Sequence, residues 1–328
     1  MTTPSMKLSV LDLVPVLENK DDSHALARAA ELAEAAERWG YERYWVAEHH
    51  DMKHLACPAP DVLLAHIGAR TERIRLGSGA LLLPHYSPLR VAESFRMLAG
   101  LYPGRIDLGL GRAPGGHAHA SMALSGNFLD NVGKVPKKLS ELTALLQDRY
   151  HYEGVKVGAR PNPPEQPEVW MLGTNKKSAE YAAVYGLGYV FGLFMSESDG
   201  APILKSYRDA FMPSPLRKEA GAIVAIGVVC AETEEEAQRE AERSAAFFRQ
   251  GGPPSDGEEE GGPDRPRRLL VGTPAPLLDR LEEMASAYGV SEFMIMTMGS
   301  DYAKRLRSYE LLAREWRERE ASRRGERS

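Results

Sequence analysis

The sequence predicts a single (β/α)8, or TIM, barrel, and three observations carry that expectation. A chain of 328 residues is long for one ordinary domain but normal for one barrel. Short β-rich runs alternate with helical patterns from end to end, and eight strand–helix pairs can be counted. Six pairs would have suited an open doubly wound sheet equally well. No repeat of fixed period is visible, which excludes solenoid architectures.

The strands are expected at 7–13, 43–47, 75–83, 105–110, 168–172, 189–194, 222–229 and 292–297. Several are almost uniformly apolar, such as 222–229 (AIVAIGVV), as strands covered on both faces are. The first helix, 23–39, opens on a capping-type Ser23 and stops at Gly40. The other barrel helices are expected at 61–71, 88–101, 137–148, 178–185, 201–211, 276–288 and 300–319, with an extra helix at 233–249. One segment breaks the rhythm of this single domain spanning 1–328. Residues 251–267 (GGPPSDGEEEGGPDRPR) read as a flexible acidic insertion between strand seven and its barrel helix. A tolerated surface insertion and a lid over a bound cofactor both fit that composition.

Composition narrows the class of function. The hydrophobic fraction is 43%, the charged fraction 27% and the formal net charge -5, close to an average globular enzyme. Acids and bases are interspersed, so no nucleic-acid footprint is expected. Cys57 and Cys230 are far apart and lack CxxC spacing, which argues against a disulfide framework or structural zinc and fits a reducing cytoplasm. No run approaches the roughly 18 apolar residues of a membrane span, so no membrane partner is expected.

Barrel enzymes place chemistry where strands end, and three strand ends stand out. The second runs into Glu48-His49-His50-Asp51, four ionisable side chains in a row. Such a cluster is costly unless solvated, paired or used. A general acid/base histidine held by Glu48 or Asp51 is one reading and an exposed charged loop is the other. The absence of a nearby HxxxH or CxxC partner argues against a metal. The third strand carries Gly77 and Gly79, which mark either close backbone approach to a ligand or tight packing inside the barrel. The fourth ends Gly109-Leu110-Gly111-Arg112-Ala113-Pro114-Gly115-Gly116, without the full dinucleotide fingerprint, and places Arg112 where its fork of donors could meet a phosphate. A further turn, Gly173-Thr174-Asn175-Lys176-Lys177-Ser178, would offer helix N-terminal donors to an anion, although Ser178 could serve only as an N-cap.

The ordered set Glu48-His49-His50, Leu76-Gly77-Ser78-Gly79-Ala80-Leu81-Leu82-Leu83-Pro84, Pro88-Leu89-Arg90-Val91-Ala92-Glu93 and Gly104-Arg105 through Gly111-Arg112 resembles the bacterial-luciferase family of flavin-dependent monooxygenases. The match is gap-free from about Met6 to Gly116 and weaker afterwards, at 172–187 and Val271-Gly272-Thr273-Pro274. The Gly-Arg-Ala-Pro-Gly form at 111–115 is similar to the single-chain branch.

The resemblance implies an FMN-dependent monooxygenase using reduced flavin from a separate reductase. Oxygen would react with it to give a flavin C4a-hydroperoxide that oxygenates a small aldehyde, ketone or aromatic. By position, His49 matches the catalytic histidine, with Glu48 and His50 beside it. Gly79-Ala80 matches a cis dipeptide backing the flavin ring, and Arg112 with Gly173, Thr174, Asn175 and Ser178 matches the phosphate site. A homodimer is implied as well. Gly111 stands where light-emitting subunits carry a reactive cysteine, so bioluminescence is not implied. The alternatives are a deazaflavin (F420)-dependent dehydrogenase and a non-catalytic flavin-binding protein.

Overall fold

A computed structural model describes residues 6–251 and 269–325. Eight parallel strands close on themselves: β1 (Lys7–Asp12), β2 (Arg43–Val46), β3 (Arg75–Ser78), β4 (Ile106–Gly111), β5 (Glu168–Gly173), β6 (Gly188–Gly192), β7 (Ala222–Cys230) and β8 (Glu292–Met296). Each pairs with its neighbours in chain order, and β8 closes the ring on β1 through the register Leu8↔Phe293 and Val10↔Ile295. All eight expected strands are therefore present and form the (β/α)8 barrel.

Helices wrap the outside, and their signals explain most of their bounds. The first, Asp22–Trp39, turns a row of alanines inward (Ala25, Ala29, Ala33 and Ala36). It ends at Gly40, whose φ of 85° is a left-handed C-cap. Its N-cap is Asp21, which accepts the His24 amide at 2.8 Å, rather than Ser23. Pro88–Leu101 forms as expected behind a proline in its first turn.

Some elements differ from expectation. The third strand stops at Ser78 instead of running to 83, because Leu81–Leu82 leaves β3 and pairs with β4 through Leu81↔Leu110. Two short helices, Ala118–Ser125 and Phe128–Gly133, occupy the connection after β4. They bury almost nothing, so no apolar stripe marks them in the sequence. Leu269–Gly272 adds an extra parallel strand beside the far half of β7. The expected insertion at 251–267 lies outside the described residues from position 252 onward.

Two packed regions result. The larger joins the outer faces of the strands to the helices, and a smaller one fills the barrel around Leu11, Trp45, Trp170, Val190, Ile223, Met294 and Met296. Trp45 lies across the lumen and explains two glycines. A Cβ at Gly77 would sit 2.5 Å from the Trp45 Nε1, and one at Gly109 would sit 2.1 Å from the Ser78 carbonyl oxygen and 3.1 Å from the Trp45 ring. Of the two readings left open for Gly77, tight packing inside the barrel holds.

Below Trp45 the barrel is plugged by charge. Arg43 reaches Asp107 at 2.7 Å and Glu292 at 2.9 Å, and Trp45 Nε1 donates to Asp107 at 2.9 Å. Burial pushes the Asp107 carboxyl up, but Arg43 and Arg75 more than offset it and leave it below its usual range. Such a plug closes the bottom of the barrel and leaves the strand C-terminal ends as the open mouth.

Candidate active site

At the mouth, β2 ends at Val46 and the chain continues as Ala47-Glu48-His49-His50. Glu48 is only 2% exposed and fully engaged. Its Oε2 accepts the Leu82 amide at 3.0 Å, while Oε1 accepts the Tyr86 hydroxyl at 2.9 Å and faces His50 Nε2 at 2.8 Å. These donors reach Glu48 from its own segment and from the stretch after β3. Glu48 is thus an anchor between two strand ends, with three contacts already made on its two oxygens.

The histidine held by a carboxylate is His50, not His49. Asp51 pairs instead with His117 at 2.6 Å. His49 is tied through its backbone, donating its amide to the Cys57 carbonyl at 2.9 Å, and its ring Nδ1 is buried without a hydrogen-bond partner. Burial, helped by the neighbouring His50, pushes the His49 imidazole down to about 4. At neutral pH it is therefore uncharged, with one nitrogen able to hold a proton and the other able to take one.

Just past the end of β3, the Gly79–Ala80 peptide bond is cis, and the Gly79 amide donates to the Val46 carbonyl at 2.7 Å. Gly79 backs directly onto Leu11 and Trp45, since an added Cβ would lie 2.5 Å from the Leu11 Cδ1. Gly111 is equally confined, its added Cβ falling 2.9 Å from the Ala80 Cβ. Gly79, Ala80 and Gly111 thus form a wall of small residues, with no side chain projecting from its glycines.

Arg112 follows at the end of β4. Its guanidinium lies over the Tyr181 ring, 5.4 Å from the centroid, and Lys177 approaches the same ring at 5.0 Å. Among the described residues no carboxylate pairs with Arg112. Tyr181 belongs to the helix Lys176–Val184 that follows β5, so the two strand ends meet here. The N-cap of that helix is Asn175, which accepts the Ser178 amide at 3.2 Å; Ser178 does not cap it. Ser178 is fully buried, and its hydroxyl bonds the Asn175 carbonyl at 2.7 Å and the Tyr189 hydroxyl at 3.1 Å. Gly173 makes room for it, because an added Cβ would sit 2.1 Å from the Ser178 Oγ. Ser178, Asn175 and Gly173 therefore shape the turn. The groups it leaves to offer outward are the Thr174 hydroxyl and the first amides of the helix, which have no intrahelical acceptor.

The structure thus brings Glu48, His49 and His50 together with Gly79-Ala80, and Arg112 together with the Thr174–Ser178 turn. Trp45, Tyr86, His85 and Tyr181 belong to the same mouth and were not singled out from the sequence. His85 and Tyr86 lie just past the expected strand end at 83, within reach of the strand-end rule, but the ionisable run after β2 and the glycines of β3 drew the attention there. Tyr181, nearly two helical turns past the Asn175 cap, left no such signal.

Comparison with known proteins decides the class. The luciferase-like monooxygenase profile matches residues 6–292. The chain belongs to the luciferase-like monooxygenase family. It is accordingly an oxidoreductase. Among its family relatives, YwcH of Bacillus subtilis is 40% identical, covering 94% of this chain and 98% of its own. The N-acetyl-S-alkylcysteine monooxygenase of the same organism is 33% identical over 94% of this chain and 97% of its own. The solved structure of apo-MsnO8 superposes with a TM-score of 0.86 at 38% identity, covering 95% and 98% of the two chains. Two more distant structures share the fold: an oxygenating component of 3,6-diketocamphane monooxygenase in complex with FMN (TM-score 0.69, 18% identity, 95% of this chain and 97% of that one), and an F420-dependent secondary alcohol dehydrogenase (0.68, 16%, 95% and 99%). Among the described residues, no helix of this family member is long and apolar enough to cross a membrane.

Proposed function

We propose that this luciferase-like protein is an FMN-dependent monooxygenase that takes reduced FMN from a separate reductase and oxygenates a small organic substrate with O2. The observation that carries the reading is the buried, unpartnered Nδ1 of an uncharged His49, three residues past the Val46 carbonyl that accepts the amide of Gly79. A buried polar atom without a partner calls for one, and in this position the partner would come from a bound molecule. The rest of the mouth fits a phosphorylated flavin. Gly79-Ala80 would back a flat ring, while Arg112, Thr174 and the first amides of the helix after β5 would hold the phosphate.

When bound, reduced FMN supplies the two electrons that let O2 place one oxygen atom in the substrate and release the other as water. The protein's own residues do the rest. Glu48 fixes His50 and the segment after β3, so the wall behind the ring cannot drift. His49 holds or passes a proton at its free ring nitrogen, and burial keeps it from being trapped as the imidazolium at neutral pH. Leu11, Leu172, Met296 and Met298 keep the interior apolar and exclude water from the reacting atoms.

Those residues favour an apolar substrate. Aldehydes, ketones and aromatics all suit them, and the N-acetyl-S-alkylcysteine monooxygenase among the relatives adds thioethers. The FMN–reductase pairing accords with a chain in which no complete G-x-G-x-x-G fingerprint occurs for a nicotinamide cofactor of its own. A homodimer would cover Val62, Met97 and Leu101, large apolar side chains exposed on the neighbouring helices Pro60–Gly68 and Pro88–Leu101. Two buried free thiols, Cys57 and Cys230, suit a reducing cytoplasm. Titrating the protein in parallel with FMN and F420 tests the cofactor. FMN should bind more tightly, and the reverse order would move the protein to the dehydrogenase reading.

A further inference from the structure

The turn that carries Arg112 is held from both sides, and one of its holders is a residue with no role so far. His85, in the 3-10 turn Leu83–His85, uses both ring nitrogens. Nε2 lies 2.9 Å from the Pro114 carbonyl oxygen and Nδ1 lies 2.8 Å from the Ser125 hydroxyl. A carbonyl only accepts, so Nε2 carries a proton, and in the neutral ring Nδ1 accepts from Ser125. On the other side, the His50 amide donates to the Gly115 carbonyl at 2.8 Å. Consecutive carbonyls of the turn are thus pinned by His85 and His50, whose rings meet edge to face at 6.0 Å.

The turn has no slack against these anchors. Gly115 sits at a φ of 72°, and an added Cβ would fall 2.2 Å from the Leu82 Cδ1. At Gly116 an added Cβ would fall 2.3 Å from the His50 carbonyl oxygen. Arg112 is two residues before Pro114, so the place of its guanidinium over Tyr181 depends on where this turn is held.

We propose that His85 is a positioning residue for the flavin phosphate, acting through its Nε2–H bond to the Pro114 carbonyl, which fixes the turn that carries Arg112. The inference rests on the FMN reading above. It predicts a specific loss: His85 should matter to binding of the phosphate and not to binding of the ring.

The test is the affinity of the purified protein and its variants for oxidised FMN and for riboflavin, which lacks the phosphate, followed by quenching of flavin fluorescence. The native protein should bind FMN more tightly than riboflavin. His85→Ala and His85→Asn, which lose the bond to Pro114, should weaken FMN by about tenfold and leave riboflavin within about twofold. His85→Gln places an amide N–H near the position of Nε2 and should restore the FMN preference. The proposal is overturned if His85→Ala weakens both flavins alike, if it weakens neither, or if His85→Gln behaves as His85→Ala. A native protein with no preference for FMN over riboflavin would instead overturn the phosphate reading itself, and this inference with it.

Discussion

Tyr86 donates its hydroxyl to Glu48 at 2.9 Å, and through that bond the segment following the cis Gly79–Ala80 peptide is fastened to the end of β2. The same carboxylate holds the Leu82 amide and His50. The contact also raises the Tyr86 phenol, burial acting first and the Glu48 charge second, so Tyr86 stays a donor throughout the accessible range of pH. Tyr86→Phe should lower unfolding stability by about 1.5–3 kcal/mol, the worth of one hydrogen bond to a charged group. Glu48→Ala should cost more, because it strands several buried donors at once. Urea unfolding of both variants measures this, and equal effects would argue against Glu48 as the common anchor.

The plug beneath Trp45 makes a second, larger expectation. Arg43 is the cation between buried Asp107 and Glu292. Arg43→Met would leave those carboxylates facing each other without it and should destabilise the fold by about 3–5 kcal/mol. A loss under about 1 kcal/mol on urea unfolding would show that Arg75 alone neutralises Asp107.

Packing around Trp45 yields a third. Gly109→Ala would place its Cβ 2.1 Å from a backbone oxygen, which has nowhere to move without parting β3 from β4. The variant should lose about 2 kcal/mol or more, in the upper part of the range for overpacked cores. Thermal unfolding reports the loss, and an unchanged midpoint would mean that the two strands part more easily than their register suggests.

His49 gives a pH dependence. Its folded value, about 4, lies below the ordinary 6.5. Between those values the unfolded chain binds a proton that the folded one resists, so stability falls as pH drops from about 6.5 towards 4. Above 6.5 this contribution is flat. His49→Asn should remove that part of the acid sensitivity, measured as urea midpoints across pH 4–7, and an unchanged slope would place the acid sensitivity elsewhere.

How far the sequence reveals this protein differs by level. The barrel is legible because each strand is an apolar run ended by a turn and followed by a capped helix, as Asp22–Trp39 and Gly40 illustrate. The cluster Glu48-His49-His50 is legible because ionisable groups at a strand end are costly and rare. What each one does is not, because it depends on partners far away in sequence. Glu48 is anchored by Leu82 and Tyr86, and His50 rather than His49 receives the carboxylate. Residues 118–133 escaped for a different reason, since short helices that bury little carry no periodicity to read.

Handling of reduced FMN and oxygen at this barrel mouth, as proposed above, is open to direct observation. The most direct measurement mixes the anaerobic complex of protein and reduced FMN with oxygenated buffer and follows the flavin spectrum in stopped flow. A species distinct from both reduced and oxidised FMN should build up before the oxidised spectrum appears, and should decay faster in His49→Ala. Direct conversion to oxidised FMN at the rate of free flavin, with no such species, would contradict that proposal.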